Sequence, residues 1–316
     1  MPRPFFHAAN FFLAIAAALT VTATAACAED ELVVADQRGL QKAVLQASKA
    51  DQNLPYRVRW VEFDAAAPLL QALGAGAVDT GVAGDGPFLF AWGAGQPIKA
   101  AYWLPPRGAG HTTAVVTGEH SSIRTAADLS GKTIATGRGS IGHLLLLRLI
   151  QTGAIQAPAP RIVFLPPAQA KAALDSGAVD AWSTWEPYVS LNLVQNHGHV
   201  VADGQTVLPN NGFLVATDSA LKNKRALLAD FYRRVSDASR WAENHQSEYA
   251  AILSRQTGMP QDVSVAVAKE LISTPGPVNP SVVQAEQATL DAYRAANLVD
   301  HGGSVAAAFI TGFAAP

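Results

Sequence analysis

One eight-residue string occurs twice. Ala72-Leu73-Gly74-Ala75-Gly76-Ala77-Val78-Asp79 returns as Ala173-Leu174-Asp175-Ser176-Gly177-Ala178-Val179-Asp180, identical at six of eight positions and displaced by 101 residues. In each copy a helical stretch runs into a glycine, the residue that commonly follows a helix C-terminus, and a short apolar run begins. Solenoid repeats recur about every 20–50 residues, so this wider spacing points to two related lobes. The segments around the strings support that reading. Glu31–Ala35, Arg57–Glu62 and Val78–Ala83 read as strands, separated by helices at Leu40–Ala50 and Ala65–Gly74. A second set follows, with strands at Lys132–Thr136, Arg161–Leu165 and Ala178–Ser183 and helices at Ile141–Thr152 and Ala168–Ser176. Alternation of this kind predicts parallel sheets in an α/β fold.

The N-terminus is read separately. Arg3 is the only charge in residues 1–28, Phe11–Val21 is apolar, and Ala26-Cys27-Ala28 supplies small residues for cleavage. This is the pattern of a secretory signal peptide, and the apolar run falls short of the roughly 18 residues that a spanning helix needs. Thr24-Ala25-Ala26-Cys27 also resembles a lipoprotein box, so lipid attachment at Cys27 is the alternative to release. Cys27 is the only cysteine, which leaves a chain cut after Ala28 without thiol chemistry. Without Arg3 the remaining residues carry 22 basic and 25 acidic groups, a net charge of −3. That balance argues against nucleic-acid binding. Any anion recognised here must be held by a few local donors.

Lys99–Trp103 and Thr112–Thr117 read as strands, as does Phe213–Ala216, and the chain beyond Lys222 is mostly helical, with amphipathic stretches at Leu227–Trp241 and Gln284–Ala296. The organisation expected is a signal segment at 1–28, a first lobe at 29–117, a second at 118–212, and a return to the first lobe with C-terminal helices at 213–316. Two crossings between the lobes form a hinge.

Two segments have the form strand, glycine turn, helix start: Gly84-Asp85-Gly86-Pro87 and Gly137-Arg138-Gly139-Ser140. Helix starts present unpaired N–H groups and partial positive charge, and so bind anions. One turn per lobe would close on a ligand from both sides. Asp85, Gly86, Gly139, Ser140, Ile141 and His143 are therefore candidate site residues. Trp185 and Glu186, after the second copy of the string, should sit at the C-terminal end of a strand, where α/β sheets bind ligands; Trp182 is read as core. Gln37 and Arg38, after the first strand, can add an amide and a bidentate guanidinium. Glu186 fits an anion site only beside a cation. His197-Gly198-His199 is too sparse for zinc, and no metal or cofactor is expected.

These residues resemble a known family. Gly84-Asp85-Gly86-Pro87, Asp128-Leu129-Ser130-Gly131-Lys132 leading to Gly139-Ser140 and His143, Leu165-Pro166-Pro167-Ala168, and Asp180-Ala181-Trp182 with Trp185-Glu186-Pro187-Tyr188 are similar to the substrate-binding proteins of ATP-driven importers for aliphatic sulfonates, taurine and nitrate. The sulfonate branch is nearest. The resemblance implies a type II periplasmic binding protein, monomeric, with two α/β lobes on a two-crossing hinge. It implies capture of a sulfonate or sulfate ester in the periplasm, and delivery to a membrane permease and its ATPase. Glu186 stands where that branch usually has Asp, and Ala35-Asp36-Gln37-Arg38 where it tends to have Gly-Tyr-Gln-Lys, which points toward a bulkier sulfonate or a sulfate ester. Nitrate binders and binders of pyrimidine thiamine precursors are the rivals. Sulfinate-cleaving enzymes of similar fold depend on a nucleophilic cysteine, which this chain lacks beyond Cys27, and Arg138 breaks the G-x-S-x-G elbow at Ser140; no catalysis is expected.

Overall fold

The computed structural model describes Met1 and residues 30–106, 111–300 and 303–313. The predicted signal segment and Cys27 lie outside the described residues beyond Met1.

The first half builds β1 (Glu31–Gln37), α1 (Leu40–Ala47), β2 (Arg57–Phe63), α2 (Ala66–Gly74), β3 (Thr80–Gly84), α3 (Asp85–Gly93) and β4 (Ile98–Leu104). The chain then forms β5 (Thr113–Thr117), β6 (Thr133–Thr136), α4 (Ile141–Gln151), β7 (Arg161–Phe164), α5 (Pro167–Asp175), β8 (Ala181–Trp185), α6 (Tyr188–Gln195) and β9 (His199–Asp203). It returns through β10 (Gly212–Thr217), α7 (Asp218–Asn223), α8 (Arg225–Asn244), α9 (Gln246–Thr257), α10 (Gln261–Leu271), β11 (Gly276–Pro277) and α11 (Pro280–Ala295).

Two mixed sheets result, ordered β11-β4-β10-β3-β1-β2 and β7-β6-β8-β5-β9. In the first, β1 runs parallel to β2 and β3 while β10 is antiparallel to β3 and β4. In the second, β6 is parallel to β7 and β8 while β5 is antiparallel to β8 and β9. The interior strand β1 is buried along its middle and reads Leu32-Val33-Val34-Ala35 without alternation, as a strand covered on both faces should. The edge strand β2 is at most half buried.

The repeated string does the same mechanical work in each lobe. Gly76 and Gly177 take φ of 70° and 75°, the left-handed turn that glycine adopts without steric cost. The aspartate that follows clamps the neighbouring parallel strand with two hydrogen bonds. Asp79 N–H donates to the Val33 carbonyl (2.8 Å), and Val33 N–H donates to the Asp79 carboxylate (2.7 Å). Asp180 N–H donates to the Thr133 carbonyl (2.8 Å), and Thr133 N–H to the Asp180 carboxylate (2.7 Å). Because the aspartate makes these contacts ahead of the ladder, β3 starts at Thr80 and β8 at Ala181, each later than the apolar run suggests. Lys224 Nζ also reaches Asp79, at 2.7 Å, whereas the Asp180 clamp is exposed. Asp79→Ala is therefore expected to cost about 2–3 kcal/mol and Asp180→Ala about 1 kcal/mol or less. Urea unfolding of both variants checks this, and equal losses would overturn it.

The lobe boundary needs one correction. Thr113–Thr117 hydrogen-bonds to β8 and β9, so it belongs to the second sheet, and the chain first passes between the lobes after Leu104 and before Thr113 instead of near Thr117. Two consecutive strand signals around a short loop read equally well as a hairpin or a crossing, and only non-local pairing separates them. The second crossing spans residues 204–211, just before β10. The crossings meet where His111 Nδ1 lies 2.6 Å from Asp203 Oδ2. His199, from the histidine pair too sparse for zinc, begins β9.

The C-terminal helices brace both lobes. Packing of α8 and α9 against α1 buries Phe231, Tyr232, Val235, Tyr249 and Leu253 in the outer core of the first lobe. The other core is continuous from the first lobe into the second: Phe88 and Leu89 of α3, Leu144 and Leu145 of α4, and Leu290 and Tyr293 of α11 share it. Asn279 caps α11, its side chain accepting from Ser281 and Val282 N–H at 3.1 Å each. This fixes the approach of Tyr293 to the second lobe.

Candidate ligand-binding cleft

The C-terminal ends of β1 and β3, the start of α2, the β6–α4 turn and the end of β8 converge on one cleft of about 660 Å³. Its apolar wall is long: Ala65–Pro68, Leu104–Pro106, Phe164–Pro167, Trp185, Tyr249 and Ile272 all contribute.

Six candidates line this cleft: Gln37, Asp85, Ser140, Ile141, Trp185 and Glu186. Four do not, and each has a local reason. Arg38 has φ of 56° and turns to the far rim, its guanidinium 3.5 Å from Tyr188 Oη and 3.9 Å from the Asp64 carboxylate. Gly86 faces Ile141, Leu144 and the Tyr293 hydroxyl, each within 3.2 Å of where a Cβ would stand. Gly139, with φ of 69°, faces the Phe90 ring. His143 is buried beneath the turn, its Nδ1 accepting the Gly139 N–H at 3.2 Å. Burial, and secondarily the Arg138 charge, push the His143 imidazole down to about 4, so it is neutral and acts as the acceptor that fixes the turn.

The two glycine turns are adjacent, but they do not offer donors alike. At the start of α3, Asp85 N–H donates to the Asn211 carbonyl (2.9 Å), Gly86 N–H to Asp85 Oδ1 (2.6 Å), and Pro87 has no N–H. That helix start is saturated by its own side chain and by the second crossing, which corrects the expectation that it grips an anion. At the start of α4, Ser140 Oγ caps His143 N–H (3.2 Å) and Ser140 N–H is taken by the Gly137 carbonyl (3.1 Å). The N–H groups of Ile141 and Gly142 stay unpaired among the described residues, as first-turn donors do without a further acceptor.

The open helix start of the first lobe is α2. Its cap residue Ala65 has no side-chain acceptor, and no hydrogen bond is made by Ala66 or Ala67 N–H among the described residues. Both residues line the cleft. The sequence hid this, because Asp64 stands where the cap of a helix at Ala65–Gly74 would be read, whereas the cap position falls to Ala65 and the Asp64 carboxylate faces Arg38. By contrast α1 is capped by Asp36, which accepts from Gln41 and Lys42 N–H at 2.9 Å each. Glu186 caps α6, accepting from Ser190 N–H (3.2 Å) and Ser190 Oγ (2.9 Å). Gln37 uses an amide N–H on the Val82 carbonyl (2.9 Å). Trp185 stands edge-on to Tyr188, centroids 5.9 Å apart, and leaves the rest of its indole to the cleft.

Residues of the cleft that the sequence reading did not single out include Arg138, Thr112, Thr113, Asn211 and Glu270. Asn211 is the structural knot. Its N–H donates to Asp85 Oδ2 (3.0 Å), its Nδ2 to Glu286 Oε1 (2.7 Å), and its Oδ1 accepts from Trp103 Nε1 (2.7 Å). Burial, together with the Asp85 charge, raises the Glu286 carboxyl well above its usual range.

Burial is also the leading reason that Asp36 is pushed up to about 6, Asp85 to about 7 and Glu186 to about 7. A carboxyl raised by folding holds a proton that the unfolded chain has released. Its stabilising share is therefore complete below about pH 4 and is lost as pH climbs through 6 to 7. The melting temperature of the ligand-free protein is expected to be higher at pH 5.5 than at pH 8 by at least about 4 °C. A scan showing no fall over that window would contradict these assignments.

Comparison with known proteins decides the family. The sequence profile of the NMT1-like family matches residues 16–254. The chain belongs to the NMT1-like family. A protein of Escherichia coli (strain K12) named as an aliphatic sulfonates-binding protein is 32% identical over 299 residues, covering 91% of this chain and 92% of its own. The taurine-binding periplasmic protein of the same organism is 29% identical over 252 residues, 73% of this chain and 76% of its own. Among solved structures, the alkanesulfonate-binding protein SsuA from Xanthomonas axonopodis pv. citri bound to MOPS superposes with a TM-score of 0.82 at 28% identity, covering 89% of this chain and 98% of that one. The two-sheet, two-crossing architecture is the fold of these family members.

Proposed function

We propose that this chain is the extracytoplasmic solute-binding component of an ATP-driven importer, and that it captures a sulfonate or sulfate ester. One observation carries the reading. Two helix starts that keep unpaired first-turn N–H groups, α2 in the first lobe and α4 in the second, open into a single cleft whose other walls are largely apolar. Unpaired first-turn N–H groups favour negative charge, and sulfonate oxygens can take donors from several directions at once. The long apolar wall, with Trp185 at its end, suits an organic tail. Closure about the two crossings is favoured by a ligand only through contacts made to both lobes, and the head group meets that condition.

The named sulfonate- and taurine-binding relatives support the same reading, as does the predicted signal segment for a periplasmic location. No helix among the described residues is long and apolar enough to cross a membrane. Delivery then requires a membrane permease. The role is binding without turnover: the single cysteine falls within the predicted signal segment, and Ser140 Oγ is engaged as a helix cap.

Titration calorimetry with pentanesulfonate, taurine, nitrate and an aminopyrimidine tests this. Binding of pentanesulfonate in the micromolar range or tighter is expected, with nitrate at least tenfold weaker because it leaves the apolar wall empty. Binding of the pyrimidine alone would overturn the proposal.

A further inference from the structure

The repeat extends beyond its eight-residue core. Ala35-Asp36-Gln37-Arg38-Gly39 in the first lobe is matched by Ala135-Thr136-Gly137-Arg138-Gly139 in the second, and both glycines are left-handed, with φ of 73° and 69°. Arg38 and Arg138 therefore hold matching places before a left-handed glycine, although only Arg38 is itself left-handed, and their surroundings have diverged. Arg38 is committed to Tyr188 and Asp64 on the rim. Arg138 lines the cleft, with its guanidinium carbon 5.4 Å from the centroid of the Phe164 ring, and makes no ion pair or hydrogen bond from that group among the described residues. Phe164 is itself 39% exposed, so the ring is a resting platform at the mouth and not a buried clamp.

Arg138 is also electrostatically alone. Among the described residues that line the cleft it is the sole lysine or arginine, whereas Asp36, Asp64, Asp85, Glu186 and Glu270 supply five carboxyl groups. Its turn leads directly into the unpaired N–H groups of α4, so one full charge and one helix start coincide. A guanidinium resting on an aromatic face at an exposed site is held only weakly. A two-pronged pair with an oxyanion is stronger and directional. Exchange of the first for the second is favourable when an anion arrives.

We propose that Arg138 moves from the Phe164 ring onto the anionic head group of the ligand, and that, as the sole lysine or arginine among the described residues of the cleft, it restricts the cleft to monoanions. This rests on the solute-binding reading above and names the charge class which that site admits. A second negative charge would meet Glu186 or Glu270 with no further basic side chain among the described residues of the cleft to offset it.

The test uses wild type, Arg138→Gln, Arg138→Lys and, as a charge-matched control on the exposed edge of the second lobe, Arg161→Gln. Each is titrated with butane-1-sulfonate and butane-1,4-disulfonate at two salt concentrations. Expected results are a preference of at least tenfold for the monosulfonate in wild type and a 10- to 100-fold loss in R138Q, with a flatter salt dependence. A smaller loss is expected in R138K, and affinity within twofold of wild type in R161Q. Melting temperatures should agree, since Arg138 is exposed. Monosulfonate affinity in R138Q within twofold of wild type, at unchanged salt dependence, would overturn the assignment, and equal affinity of wild type for both ligands would overturn the charge class. Wild type that binds neither would instead remove the solute-binding reading beneath it.

Discussion

Gly139→Val is expected to weaken alkanesulfonate binding at least about a hundredfold, the largest effect of any single change in or behind the cleft. Two costs combine at this position. Its φ of 69° lies in the left-handed region, which costs a residue with a Cβ about 1–2 kcal/mol. The added Cβ would also stand 2.4 Å from Phe90 Cδ1 and 2.7 Å from Phe90 Cγ, so the ring must be displaced. Phe90 belongs to α3 of the first lobe and packs on Tyr293, centroids 5.3 Å apart, so it has little room to yield. The valine thus acts as a wedge between the lobes and tilts the start of α4 away from its partner. A hundredfold loss corresponds to about 2.7 kcal/mol, more than backbone strain alone supplies, so the wedge must carry most of it. Gly95→Ala isolates the backbone cost: its φ is 89° and nothing lies within 4 Å of the new Cβ. That variant should lose stability while keeping affinity. Calorimetry on both separates wedge from strain, and G139V affinity within threefold of wild type would show that this turn is not part of the site.

Asp85→Ala should destabilise the protein by about 2–4 kcal/mol in urea unfolding at pH 7. The Asp85 side chain is fully buried and accepts the N–H groups of Gly86 and Asn211. Removing it strands both donors away from water, at about 1–3 kcal/mol each. Relief of the burial penalty that raises the Asp85 carboxyl to about 7 offsets part of this, which sets the upper bound. Asn211 lies in the second crossing and also holds Glu286 and Trp103, so the damage should spread to hinge geometry and reduce affinity as well. Asp85→Asn keeps one acceptor and the shape, and should lose about half as much. An alanine variant as stable as wild type would mean that water satisfies those donors.

The contrast between these two residues shows how far the sequence could be read. Both glycine turns were recognisable from strand, glycine and helix-start chemistry, and they do lie side by side. What the sequence left open is that Asp85 turns back on its own helix start and fills it, while Ser140 caps α4 one residue deeper and leaves Ile141 and Gly142 N–H unpaired. Turns of the same form diverge there because the satisfaction of a donor depends on its own capping side chain and on Asn211, which is 126 residues from Asp85. The Arg38 and Arg138 pair teaches the same lesson. Their places in the chain match, but Tyr188 and Asp64 intercept one of them and only Phe164 meets the other. The open start of α2 escaped notice since Asp64, which reads as its cap, stands one position too early and faces Arg38 instead.

The repeated string, read alone, determined that two related α/β lobes exist and where each would turn, because glycine and the clamping aspartate act within a few residues and on the adjacent strand. Tertiary structure decided which strands pair, hence that Thr113–Thr117 belongs to the second lobe, and which helix starts remain open to a ligand. Those outcomes are set by partners distant in sequence, which compete for the same N–H groups and charges.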